Sequence, residues 1–201
     1  MTAQHNPMPR EWDWATRLLH FGLAVTVTLQ LLNSLAVEKP EPGHSLSGFG
    51  ALMLDIHEWL GMAAFAIVLL HWAWSLWGLE GYGARHLFPW NREGRTEVAT
   101  GLREIFKGRL PSGGPKDKFS GLIHGLGLLA VLGIAATGAV LFFFMPEDGK
   151  LNILTGAASE LHEFISIFVW TYWGGHVGMA LLHHFIARDE TLPRMFRLTG
   201  K

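Results

Sequence analysis

Four long apolar runs alternate with shorter polar segments along this chain. They cover residues 18–37, 51–79, 119–145 and 157–187. About 20 apolar residues in a helix suffice to cross the hydrocarbon core of a bilayer. The pattern therefore predicts an all-α fold, an integral membrane four-helix bundle in which residues 1–201 form a single domain.

Two segments allow a second interpretation. Ser34-Leu35-Ala36 resembles a weak signal-peptide cleavage site, but the preceding apolar run is longer than the 7–15 residues or so of a signal peptide. An uncleaved first helix is therefore favoured. Residues 96–110 carry apolar side chains near helical spacing, with basic residues beside them, which favours an amphipathic helix on the membrane surface over an ordinary solvated helix.

Composition supports the membrane assignment. Hydrophobic residues make up 49% of the chain and charged residues only 16%, against about 25% charged residues in soluble domains. Fourteen of the 16 Lys and Arg residues lie in the N-terminal segment, the 80–118 connection and the C-terminal tail, which leaves Lys39 and Lys150 for the other face. Because basic residues concentrate on the cytoplasmic side, we expect both termini to be cytoplasmic.

The absence of cysteine limits the chemistry of any cofactor site. The chain has no Cys, which excludes disulfides, Cys-ligated iron–sulfur clusters and covalent c-type haem attachment. A bound metal or cofactor must therefore be held by His, Met or oxygen ligands.

Histidines recur inside the apolar runs at a fixed spacing. His57 and His71 are 14 residues apart, and so are His162 and His176. Fourteen residues are nearly four helical turns, so each pair shares one helix face and spans about 21 Å. His20 lies at the predicted depth of His71 and His176. The local sequence around His57 repeats 105 residues later around His162, which indicates a duplicated unit.

Histidines within membrane spans indicate function by default. A single one could serve as a hydrogen-bonded contact between helices. Five at two matched depths are better explained by two haem b groups, whose irons take imidazoles from facing helices. Zinc or copper is a weaker alternative, because such ligands usually cluster around one point. His183 and His184 are adjacent, and they border either a quinone pocket or haem propionates, or are simply interfacial.

Several motifs resemble those of the prokaryotic cytochrome b561 family, which is related to the cytochrome b subunits of nickel–iron hydrogenase and formate dehydrogenase. The opening is Arg17-Leu18-Leu19-His20-Phe21. The most specific match runs from Leu161 to Met195 and includes His183-His184-Phe185 and the ending Asp189-x-Thr191-Leu192-x-Arg194-Met195. Trp77-Gly78, Ala84-Arg85 and Gly108 ahead of Gly121 and His124 look more like the hydrogenase-type members. A departure is the short 146–156 loop.

The resemblance implies two b haems and axial ligands for each. His57 and His162 would hold the outer haem, and His20 and His176 the inner haem. The duplication suggests a different inner pair, His71 with His176, so His71 is the alternate ligand. Arg17, one turn before His20, could bind a haem propionate, or it could act as an interfacial anchor.

The resemblance also implies electron exchange with a membrane quinone in the bacterial inner membrane. We expect a dihaem cytochrome of a respiratory chain that relays electrons between quinone and a redox partner. One alternative is the membrane-anchor subunit of a periplasmic hydrogenase or dehydrogenase, and another is a haem-free helical transporter or scaffold. Whether the chain is itself an enzyme, such as a quinone oxidoreductase, stays open. We expect membrane lipid around it, a homodimer as one form of assembly, and no nucleic-acid partner.

Overall fold

A computed structural model describes residues 12–39, 46–77, 87–110, 117–146, 149–188 and 190–196. Within these ranges every long regular element is a helix. The elements are α1 (Trp14–Ser34), α2 (Gly48–Trp77), α3 (Arg92–Phe106), α4 (Lys118–Phe144), α5 (Ile153–Leu182), a π-helical segment (His183–Ala187) and α6 (Thr191–Phe196).

A polar side chain caps the start of each of the five long helices. In every case its oxygen accepts a hydrogen bond from the backbone N–H three residues later, at 2.9 to 3.0 Å. Such a cap satisfies one of the N–H groups that the first helical turn leaves without a partner. The capping residues are Asp13, Ser47, Asn91, Asp117 and Asn152.

Four helices are long and apolar enough to cross a membrane. They are Trp14–Ser34, Gly48–Trp77, Lys118–Phe144 and Ile153–Ala187, the last including the π-helical segment. This confirms the predicted all-α fold with four membrane-spanning helices. The helices begin one to four residues before the apolar runs, because their caps lie in the polar flanks. Residues 78–79 of the predicted second span, and the chain ends 1–11 and 197–201, lie outside the described residues. The cytoplasmic location of the termini and the single domain stay predictions.

A helix is present where the surface helix was predicted, but its bounds are shifted. It runs from Arg92 to Phe106 rather than from 96 to 110. The helix begins four residues before the predicted start, because the Asn91 side chain caps it by accepting a hydrogen bond from the Gly94 N–H at 3.0 Å. It ends at Phe106, and two residues later Gly108 has a φ of +72°, which does not continue a helix. Phe106 is 83% exposed, as expected of a residue on an apolar face without a protein partner. Its placement on the membrane surface stays a prediction.

The chain forms two compact units. One, the paired-histidine unit, comprises Leu19–Trp72 and Gly127–Gly178, and the second unit comprises Met1–Leu18, Ala73–Leu126 and Met179–Lys201.

Within the paired-histidine unit, α1 packs against both α2 and α5. A Cβ placed on Gly22 would lie 3.3 Å from the Ile67 side chain, so the absence of a side chain lets α1 approach α2. The indole N–H of Trp173 in α5 donates to the Thr28 hydroxyl in α1 at 3.0 Å. Small residues and side-chain hydrogen bonds together therefore join these helices, as is usual in membranes.

In the same unit, α4 packs against the other sides of α2 and α5. Trp59 and Phe142 meet edge to face, with ring centroids 5.5 Å apart. A Cβ on Gly133 would lie 3.2 Å from Ile165. Contacts thus run from α1 to α2, α4, α5 and back to α1, which is the arrangement of a four-helix bundle.

The second unit has its own contacts. The Trp74 indole N–H donates to the Asp13 carboxylate at 3.2 Å. α3 lies against the start of α4, where a Cβ on Gly101 would meet the Phe119 ring at 2.8 Å. On the exposed side of α3, Lys107 and Arg109 donate to Glu104, which lowers the pKa of this carboxyl.

Candidate functional site

His57 and His162 face each other in the paired-histidine unit. His57 lies in the first third of α2, and His162 lies nine residues after the start of α5. Their ring centroids are 6.2 Å apart, with the ring planes inclined at 68°. Both side chains are half-buried. We call them the first pair.

His20 and His176 form a second pair in the same unit. His20 comes from α1 and His176 from the later part of α5. Their ring centroids are 6.1 Å apart, and their planes are inclined at 58°. α5 therefore contributes one histidine to each pair.

The spacing within each pair fits one metal ion between two imidazoles. An imidazole nitrogen binds a transition metal at about 2 Å, so two opposed rings on one metal place their centroids about 6 Å apart. Both pairs meet this distance. Among the described residues no three His, Asp or Glu side chains are grouped to hold a metal ion. The site therefore offers two ligands per centre, which suits a metal whose other ligands come from a macrocycle.

The first pair has an unequal hydrogen-bonding environment. Nδ1 of His162 lies 3.1 Å from the Thr137 hydroxyl of α4. The next residue, Gly138, leaves room for the ring, because a Cβ there would be 3.2 Å from Cε1 of His162. Nδ1 of His57 is buried and has no hydrogen-bond partner among the described residues. The Gln30 amide donates instead to the backbone carbonyl of His57, at 2.8 Å.

The second pair is supported by stacking. The Tyr172 ring lies over His176, with centroids 5.3 Å apart and planes inclined at 21°. Gly127 of α4 lies directly against the Tyr172 ring, and a Cβ on this glycine would overlap it. Trp173, next to Tyr172, makes the hydrogen bond to Thr28 that joins α5 to α1.

Four further histidines and Arg17 were also singled out from the sequence. His71 is buried in α2. In the second unit, Nδ1 of His124 lies 2.6 Å from the Ser120 carbonyl of its own helix. Also in this unit, His183 is buried and His184 packs edge to face on Phe185 in the π-helical segment. Arg17 is buried in this unit as well.

The sequence did not point to Thr137, Tyr172, Gly127 or Gln30. Gly138 was visible only as one of many glycines in the spans. A polar or aromatic residue in an apolar run is a weak signal, because many such residues bond only to their own helix. Thr171, for instance, donates to the Ile167 carbonyl at 2.7 Å and is exposed.

Four helices that can cross a membrane, with two pairs of opposed imidazoles between them, are the arrangement expected of a helical membrane cytochrome of the b type. The family model for prokaryotic cytochrome b561 matches residues 11–198, and the chain belongs to this family. Membership supports haem b binding and electron transfer in a bacterial membrane. Searches of the curated proteins and of the solved structures find no match to this chain.

Proposed function

We propose that the protein is a dihaem cytochrome b that relays electrons between a membrane quinone and a redox partner. His57 and His162 would be the axial ligands of one haem. His20 and His176 would be the axial ligands of the other. The observation that carries the proposal is the spacing of the two pairs, 6.2 and 6.1 Å between ring centroids.

α5 sets the distance between the two centres. His162 and His176 lie in one uninterrupted helix, Ile153–Leu182. Fourteen residues of α-helix span about 21 Å, which would put the two haems at different depths of the same bilayer. A linear arrangement of this kind suits electron transfer across the membrane.

The chain's own residues fit a haem in the first pair. Thr137 binds Nδ1 of His162, which leaves Nε2 of this ring for iron. Gly138 has no side chain to obstruct the same ring.

When bound, haem b supplies a centre that gains and loses one electron reversibly. The protein holds each imidazole at a fixed distance from its partner and so limits reorganisation when the charge changes. An apolar environment around the pairs would exclude water, which affects the reduction potential. Arg17 as a propionate partner stays a prediction from the sequence.

We further propose quinone as one redox partner and a protein as the other. The support is membership of the cytochrome b561 family and the large apolar surface of the spanning helices, from which a lipid-soluble quinone could reach the centres. Exposed apolar side chains on these helices include Leu29, Leu69, Leu129 and Phe168.

Stopped-flow mixing of the oxidised purified protein with a short-chain quinol tests the proposal. We expect the haem spectrum to become reduced, more slowly in a variant that lacks either pair. If dithionite reduces the haem but quinol leaves it oxidised, quinol is not the electron donor. If oxidised quinone then also fails to reoxidise the reduced protein, quinone is not a redox partner in either direction. Copurification of a dehydrogenase subunit from native membranes would instead indicate the anchor function.

A further inference from the structure

Thr137 is a polar residue of α4 whose hydroxyl contacts one histidine of the first pair. Oγ1 lies 3.1 Å from Nδ1 of His162. It is also 2.9 Å from the Ile134 carbonyl and 3.1 Å from the Gly133 carbonyl. The hydroxyl is therefore within hydrogen-bonding distance of three polar atoms at once.

A count of protons determines the direction of the histidine bond. The hydroxyl has one proton, and a carbonyl oxygen can only accept. The proton must point to Ile134 or Gly133 if either carbonyl is bonded, which leaves a lone pair of Oγ1 towards His162. Nδ1 of His162 then carries the donated N–H. A neutral imidazole with its proton on Nδ1 has its free lone pair on Nε2.

We propose that Thr137 is a positioning residue that, together with the Ile134 carbonyl, holds His162 as the Nδ1–H tautomer, and that its hydroxyl lowers the reduction potential of the haem held by the first pair. The inference rests on the proposed function, because it requires a haem at this pair. It concerns a residue of α4, which contributes no axial ligand in the proposed scheme.

The two ligands of this centre differ in their support. His162 has the hydroxyl of Thr137 and a hydrogen bond to the backbone carbonyl of Ile134, whereas Nδ1 of His57 has no hydrogen-bond partner among the described residues. The nearby Gln30 amide donates to the His57 backbone rather than to its ring. The hydrogen bond to Thr137 should therefore have an influence that the other ligand does not share.

A hydrogen bond from the outward nitrogen makes an imidazole a stronger donor to the metal. A stronger donor favours the oxidised, more positive iron and so lowers the reduction potential. Without the hydroxyl, the ring should bind iron less tightly and the potential should rise. Partners of this type typically contribute 10- to 100-fold to metal affinity, roughly.

Thr137→Val tests the inference, because valine keeps the branched shape and lacks the hydroxyl. In a redox titration of the purified holoprotein we expect one of two components to shift to higher potential and the other to stay in place. We expect haem transfer to apomyoglobin to become faster by about tenfold for one haem. Thr137→Ser keeps the hydroxyl and should have the reduction potentials and the haem transfer rate of the parent protein.

Thr26→Val is the matched control. The Thr26 hydroxyl also donates to carbonyls of its own helix, at 2.8 Å to Gly22 and 3.5 Å to Leu23. It makes no histidine contact in the described part of the chain. Thr26→Val should leave both potentials unchanged. Unchanged potentials in Thr137→Val, or an equal shift in Thr26→Val, would overturn the inference. The proposed function would still stand in that case, provided that the spectrum shows two haems.

Discussion

Tyr172 stacks on His176 with ring centroids 5.3 Å apart and planes inclined at 21°. Both residues lie on α5, four positions apart, which is one turn of the helix. The ring fits in this position because Gly127 of α4 has no side chain, and a Cβ there would overlap it. The orientation of one proposed ligand thus depends on a glycine of another helix.

Gly127→Ala should weaken the second pair. The added Cβ would overlap the Tyr172 ring and push it against His176, and overpacking of this kind costs about 1–3 kcal/mol. We expect a lower unfolding temperature and loss of one haem in a pyridine haemochrome assay. Gly174→Ala is the control, since nothing lies within 4 Å of a Cβ at that position. Equal haem content in both variants would contradict this role for Gly127.

His20→Ala and His71→Ala separate the two schemes for the inner haem. The structure brings His20 to 6.1 Å from His176, centroid to centroid, so we expect His20→Ala to lose one haem. We expect His71→Ala to keep two. Electron paramagnetic resonance of the oxidised variants identifies the low-spin centre that disappears. The reverse pattern would favour ligation by His71 and the duplication scheme.

The hydrogen bond between Trp173 and Thr28 joins α5 to α1 close to the second pair. A double-mutant cycle with Trp173→Phe and Thr28→Val should give a coupling energy near the mean of about 0.6 kcal/mol for such bonds in membranes. Unfolding in detergent with increasing sodium dodecyl sulfate measures it. Strictly additive effects would mean that the bond contributes nothing to holding these helices together.

Asn91 should control the start of α3 without affecting haem. Asn91→Ala removes the oxygen that accepts from Gly94, a change that costs about 1 kcal/mol at helix starts. We expect faster amide hydrogen exchange in the first turn of α3 and an unchanged haem spectrum. Asn91→Asp keeps the cap and should exchange like the parent protein. Slow exchange in Asn91→Ala would show that other contacts fix this helix end.

The four spans could be predicted because long apolar runs are set by membrane thickness and need no knowledge of packing. The depth of the histidines in the membrane, inferred from helix periodicity, stays a prediction. The predicted start of α3, residue 96, was wrong by four residues, since the helix begins at Arg92. The start is set by the Asn91 cap, a polar residue that does not belong to the apolar pattern used for the prediction.

Thr137 and Tyr172 could not be singled out from the sequence. Whether a threonine in a span contacts a histidine of another helix or only its own backbone depends on helix rotation and on the order of neighbours. Spacing along one helix contains neither. Spacing alone likewise puts His20 and His71 at the same predicted depth. The resemblance of the segment around His20 to the family favoured His20, and the structure places its ring 6.1 Å from that of His176.

The number and type of haems in the purified protein test the central claim most directly. A pyridine haemochrome assay against protein concentration, with the reduced visible spectrum, should give two haem b per chain and the α band of bis-histidine ligation. One haem per chain would contradict the assignment of two histidine pairs, and a colourless protein after expression with sufficient haem would contradict the function as a whole.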